Sequence, residues 1–156
     1  MTATTGAAAL APAARHPLIE RLFAEYGFTE VTIERFDSFV AQPGHTMLFF
    51  SEDPVKFRET LDLAVILPEL HRAFEGSFRA GVLLPEASKK FHARYGFRRW
   101  PAFVMLRDGQ YLGAVDGVRN WDEYVGELQR LLVAEPSRPP AIGVAVKSNE
   151  RPGACG

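Results

Sequence analysis

The sequence predicts an α/β domain with a central mixed β-sheet flanked by helices on both faces, and three observations carry that prediction. Helix-period and strand-period segments alternate along most of the chain. The unbroken apolar run Met47 to Phe50 reads as a strand buried on both faces. Asp108-Gly109, set between apolar segments, reads as a two-residue hairpin turn, so the last two strands must pair antiparallel. At 156 residues the chain has the length of one domain with a single sizeable core.

Each element has a local reason. From His16 to Gly27, Leu18, Ile19, Leu22, Phe23 and Tyr26 share one helical face, with Pro17 in the first turn and Gly27 at the stop. Thr29 to Ile33 alternates as a short strand, and Phe36, Phe39 and Val40 suggest a turn or two of helix. After the central strand, residues 51–76 read as one long helix, capped by Asp53, opened by Pro54 and kinked at Pro68. Phe78 to Leu84 returns to strand. Pro85 to Tyr95 is helical, with Ala87, Phe91 and Tyr95 inward and Gly96 ending it. Ala102 to Leu106 and Tyr111 to Asp116 are the hairpin strands. A last helix follows Asn120, which with Glu123 forms a capping box, and Trp121, Tyr124, Val125, Leu128, Leu131 and Leu132 are its expected buried stripe.

The domain is therefore expected over residues 16–133, between a flexible leader at 1–15 and a disordered tail at 134–156, where periodicity fades. The Ala-rich N-terminus lacks a preceding Lys or Arg and is interrupted by Pro12 and Arg15, so it makes a poor secretory signal. A cytoplasmic location is expected. A net charge of −1 gives no electrostatic footprint for nucleic acid or an anionic membrane. The single cysteine, Cys155, can form no intrachain disulfide and no cysteine cluster. His16, His45, His71 and His92 show no metal-ligand spacing, so no metal and no cofactor is expected. Neither a phosphate-binding glycine loop nor a nucleophile elbow is present, and no catalytic residue is expected.

The element order, with the stretch YGFRRWPAFVMLRDGQYLGAVDGV from Tyr95 to Val118, resembles thioredoxin. The shared pattern is a Tyr-Gly dipeptide, a hydrophobic-Pro step, an apolar strand, a charged Gly turn and a Gly-containing final loop. The resemblance covers Leu18 to Leu132 by element order, with motifs confined to the second half. It implies a thioredoxin-like fold in which Pro101 is the cis-proline and Gly117 begins the adjacent loop. A cis bond is feasible there, since X–Pro bonds lose only about 0.5–1 kcal/mol on adopting it. It also implies that the backbone of Trp100 lies exposed, where an extended peptide can add as a strand. The alternative is that Trp100 and Pro101 fill a corner of the core.

The departures from that pattern decide the chemistry. Where thioredoxin has Cys-X-X-Cys, this chain has FFSEDPVKFRETLDLAVILPEL, which places either Asp53 to Lys56 or Thr60 to Leu63 at the motif. Neither tetrapeptide holds a thiol, and disulfide exchange needs a thiolate. A cysteine-less domain of this size with a Trp-Pro step and an acidic helix start resembles the HyaE/HupG family. These are accessory proteins of [NiFe] hydrogenase expression and formation. That resemblance implies a non-enzymatic chaperone in hydrogenase maturation, binding the iron–sulfur small-subunit precursor, whose leader is a twin-arginine signal peptide. It further implies delayed export and protection of the clusters from oxygen.

The expected partner-binding residues are Arg99, Trp100, Pro101 and Gly117 at the edge, with Glu52, Asp53, Glu59, Asp62, Glu86 and Asp116 as carboxylates for a guanidinium pair. The plainer alternative is an acidic first turn complementing the helix dipole, with Asp53 as an N-cap. Arg98 and Arg99 either contact an anionic segment of a partner or are simply solvated. Two other functions stay open: a single-thiol oxidoreductase using Cys155, and a structural interaction module of another complex.

Overall fold

The computed structural model describes residues 15–140. Its elements are α1 (Pro17–Ala24), β1 (Thr29–Glu30), α2 (Phe36–Val40), β2 (His45–Phe50), α3 (Glu59–Ala73), β3 (Arg79–Leu83), α4 (Pro85–Tyr95), β4 (Ala102–Arg107), β5 (Gln110–Asp116) and α5 (Trp121–Leu132). One sheet runs in the order β1-β3-β2-β4-β5. β1 and β2 both pair parallel with β3, whereas β4 pairs antiparallel with β2 and β5. The mixed sheet expected from the sequence is present.

Strand alternation divides the core into two layers. Met47 and Phe49 of β2, with Phe103 and Met105 of β4, join the cluster packed by Leu22 of α1, Leu63, Leu67 and Leu70 of α3, and Leu128 and Leu131 of α5. Leu48 and Phe50, with Ala102, Val104 and Leu106, face the opposite layer, where Phe36, Phe39, Phe91 and Tyr95 of α2 and α4 pack. Phe36 stacks on Phe91 with ring centroids 3.7 Å apart. Burial on both faces is why β2 and β4 are apolar at nearly every position.

Several expected boundaries move. β1 is a two-residue pair with Gly81 and Val82, although Val31 N–H still donates to Val82 O at 2.8 Å. The long helix starts at Glu59, not at Pro54, and its preceding residue Arg58 makes no side-chain cap. Asp53 caps a separate turn instead. Its Oδ1 accepts Val55 N–H at 2.9 Å, and its carbonyl accepts Phe57 N–H at 2.8 Å. α3 continues through Pro68 to Ala73.

The capping box on α5 is as expected, with Asn120 Oδ1 accepting Glu123 N–H at 2.9 Å and Glu123 Oε1 accepting Asn120 N–H at 3.0 Å. Trp121, however, is 44% exposed and leaves the stripe that Tyr124, Leu128 and Leu131 bury.

Contacts are made at both ends of the domain. Arg15, assigned to the leader, pairs with Glu20 at 3.3 Å and with Glu30 at 2.6 Å. Residues 134–140, assigned to a disordered tail, lie against the domain: Ser137 N–H donates to Tyr111 O at 2.9 Å. The rest of the leader and tail, with Cys155, lies outside the described residues. Among the described residues no helix is long and apolar enough to cross a membrane.

Candidate functional site

Strand register gathers four loops at one end of the sheet. Phe50 pairs with both Leu83 and Ala102, and Ala102 pairs in turn with Asp116. The residues just beyond these pairs therefore meet: Ser51 to Asp53, Leu84 to Glu86, Trp100-Pro101 and Gly117. Side chains lock the junction. Ser51 Oγ and Ser88 Oγ both donate to Leu83 O, at 2.7 and 2.9 Å, and Gly117 N–H donates to Pro101 O at 2.8 Å.

The Trp100–Pro101 peptide bond is cis. Pro101 is buried, while the Trp100 ring is half-buried, with centroids 5.0 Å from His92 and 5.0 Å from Phe97. The ring is thus partly packed within the chain and partly open to solvent. The N–H and C=O of Trp100 make no hydrogen bond among the described residues. An aromatic beside an unpaired stretch of main chain can accept a strand from another segment.

Asp116 holds this loop in place. Its Oδ2 accepts the backbone N–H groups of Arg98 at 3.0 Å and Arg99 at 3.2 Å. Its Oδ1 lies 3.4 Å from the Arg99 guanidinium and 3.7 Å from that of Arg119. Burial pushes the carboxyl pKa up, but those two N–H groups and the two guanidiniums outweigh it and hold the group below its ordinary value. The carboxylate is thus engaged within the chain.

Arg119, which carried no signal in the sequence, continues the network. Its Nε–H donates to Asp116 O at 3.2 Å, and its N–H donates to the Tyr124 hydroxyl at 3.0 Å. That hydroxyl donates to Gly117 O at 3.2 Å. Burial pushes the Tyr124 phenol pKa up, with smaller contributions from Asp62 and Glu123, against the opposing N–H and charge of Arg119.

The other acidic residues divide by environment. Glu52 is buried, with its Oε1 accepting Asp53 N–H at 3.1 Å and its own N–H donating to Thr60 Oγ1 at 3.1 Å. Asp53 is half-buried at the same end of the sheet. Glu59 and Asp62 are exposed in the first turn of α3, and Glu86 is exposed in the first turn of α4. The Asp62 charge adds to the upward push on the Tyr124 phenol pKa. Asp53, Glu59, Asp62 and Glu86 make no ion pair among the described residues.

Three of the four histidines take local roles. His16 Nδ1 accepts Leu18 N–H at 3.1 Å, capping α1, while His71 and His92 donate to Phe78 O at 2.9 Å and Phe97 O at 2.8 Å. Among the described residues no three of His, Cys, Asp and Glu converge as metal ligands. Asp53 to Lys56 form the Asp53 turn and Thr60 to Leu63 the start of α3, so neither candidate redox tetrapeptide brings a thiol to the site.

A sequence profile of the family described as "Hydrogenase-1 expression protein HyaE" matches residues 18–124. The hydrogenase expression/formation protein HoxO of Cupriavidus necator is 43% identical over 141 residues, spanning 89% of this chain and 88% of that protein. The hydrogenase expression/formation protein HupG of Rhodobacter capsulatus is 32% identical over 121 residues, spanning 77% of this chain and 88% of that one. A solved chain from work on the thiol-resolving mechanism of yeast mitochondrial 1-Cys peroxiredoxin superposes with a TM-score of 0.52. It shares 19% identity over 67% of this chain and 96% of that chain, a likeness of fold alone. The fold is thioredoxin-like, in agreement with the element order and the Trp-Pro step. With the profile match and the relatives above 30% identity covering most of its length, the chain belongs to the HyaE family of hydrogenase expression proteins.

Proposed function

We propose that this protein is a hydrogenase expression/formation accessory protein that acts by holding a client and not by catalysis. The client is the iron–sulfur small-subunit precursor of a [NiFe] hydrogenase, bound in the cytoplasm before export. The observation that carries this reading is the Trp100 step, a half-open indole beside main-chain groups that no described residue pairs. Such an edge suits an extended peptide, because main-chain pairing supplies affinity and an adjacent aromatic supplies an anchor.

A twin-arginine signal peptide fits the chemistry around it. Guanidinium groups favour bidentate carboxylates, and Asp53, Glu59, Asp62 and Glu86 are without ion pairs among the described residues. Asp116 is left out of that set, since it is committed to Arg98, Arg99 and Arg119. Arg99 and Gly117 bound the edge, with the Arg99 guanidinium 3.5 Å from where a Cβ on Gly117 would stand. Holding the precursor there would delay export until its clusters are inserted and shield them from oxygen.

The test is capture from hydrogenase-expressing cells, under oxic and anoxic conditions, of precursor and leaderless small subunit. Precursor is expected on the tagged protein, with weaker recovery of the leaderless form. Recovery of neither form in either atmosphere refutes the reading. Trp100→Ala is expected to weaken capture by about tenfold or more, as for a central aromatic anchor, with the domain still folded. A role confined to packing predicts instead a stability loss of about 3–5 kcal/mol.

A further inference from the structure

The ring packed against Trp100 carries an unused acceptor. His92 sits in the last turn of α4 and touches both aromatics of the loop that follows, with centroids 4.6 Å from Phe97 and 5.0 Å from Trp100. Phe97 packs in turn on Phe50 of β2 and on Trp100, at 5.0 Å each. His92 Nε2 lies 2.8 Å from Phe97 O. A carbonyl oxygen can only accept, so Nε2 carries the hydrogen. In the neutral ring Nδ1 is then the bare acceptor.

Among the described residues, the one buried side-chain nitrogen or oxygen without a partner is His45 Nε2. His92 Nδ1 also makes no hydrogen bond among them, so it is open to solvent, on a half-buried ring that lies against the indole. The charges around it are positive. Lys89 stands one turn earlier on the same helix face, and Arg98 and Arg99 follow in the loop. Lys89 and the Arg98 guanidinium make no ion pair among the described residues, and Asp116 is engaged by Arg99 and Arg119. A cationic donor is therefore repelled here, and a neutral one is not.

We propose that His92 Nδ1 is a recognition atom of the Trp100 edge, where it accepts a hydrogen bond from a neutral N–H or O–H of a peptide laid against the indole. The proposal rests on the preceding reading in one respect, that the Trp100 edge binds a peptide. It divides the recognition by charge. A guanidinium pair goes to the carboxylates of Asp53, Glu59, Asp62 and Glu86, while a main-chain amide or a hydroxyl goes to the imidazole. The bond to Phe97 O and two aromatic contacts hold the ring, so the acceptor is pre-organised and fixes the register of the peptide along the edge.

The experiment uses the full chain with isotopically labelled histidine and a synthetic peptide of the small subunit's twin-arginine leader. The nitrogen resonances of His92 are expected to show Nε2 protonated and Nδ1 bare in the free protein, and the Nδ1 signal is expected to move when the peptide is added. His92→Gln keeps an N–H for Phe97 O but has no acceptor in the place of Nδ1. It is expected to weaken peptide binding about two- to tenfold, the range of one neutral hydrogen bond, with Tm unchanged within about 2 °C. Peptide binding that leaves Nδ1 unmoved overturns the proposal. So does a His92→Gln variant that binds as wild type does. Weaker binding that follows a matching fall in Tm also overturns it, since His92 would then be a packing residue. A wild-type chain that binds no peptide at all fails the client reading itself, and the assignment of Nδ1 falls with it.

Discussion

Replacing Asp116 by alanine is the sharpest probe of how the edge is held. The substitution removes the acceptor for two backbone N–H groups, at 3.0 and 3.2 Å, and leaves Arg119 without its carboxylate partner. A hydrogen bond to a charged group contributes about 1.5–3 kcal/mol net when buried. Here the side chain is 20% exposed and the Arg99 side chain 68% exposed, so solvent weakens the bonds, and the ion pairs add at most about 1 kcal/mol.

A loss of about 2–4 kcal/mol is expected for Asp116→Ala, and about half that for Asp116→Asn, whose amide oxygen can still accept one N–H. For a domain of this size that lowers Tm by about 6–15 °C. The pH dependence has a fixed sign. The folded carboxyl titrates below its unfolded value, so its stabilisation is complete above the unfolded pKa and is lost as pH falls through the folded one. Urea unfolding should show the full gap between wild type and Asp116→Ala above about pH 5, with the gap closing in more acidic solution. A gap below about 0.5 kcal/mol at pH 7, or one unchanged at about pH 3, refutes the assignment of Asp116 as the organiser of this loop.

Three other substitutions test separate parts of the account. Gly81→Ala places a methyl 2.5 Å from Phe39 Cε2 and 2.5 Å from Val31 Cγ2, so denaturant unfolding should show about 1–3 kcal/mol lost to overpacking. Tyr124→Phe removes the hydroxyl that links Arg119 N–H to Gly117 O; about 0.5–1.5 kcal/mol should be lost, and hydrogen exchange should rise at Arg119. Cys155→Ser should leave small-subunit capture unchanged, because the proposed binding uses no thiol; lost capture would revive the single-thiol alternative.

Elements whose signals are local were legible in the sequence. The Asn120 capping box, the Asp108-Gly109 turn and the two-sided burial of β2 each follow from residues within one segment. The Asp53 turn shows where such reading stops. Asp followed by Pro opens either a long helix or a single turn, and a contact eight residues away, Glu52 N–H to Thr60 Oγ1, accompanies the shorter choice. Trp121 fits the period of the α5 stripe but sits at the first position of the helix, where it is 44% exposed. Of the candidate site, the Trp100-Pro101 step was visible as a motif. The roles of Asp116 and Arg119 were not, since they arise only when β5 brings its end beside β4. Nothing in the residues after Ala134 announced that they would pair with Tyr111, because a single main-chain bond leaves no side-chain pattern to read.

The two borders of the sheet are protected in different ways. β1 is only two residues long, too short to template a neighbouring molecule, while β5, at seven residues, is long enough to do so. Ser137 sits on that longer border. Trimming the chain at Val133 would therefore free the Tyr111 carbonyl on that border. Self-association of the trimmed chain, read by light scattering, is the expected outcome, with little change in the fold.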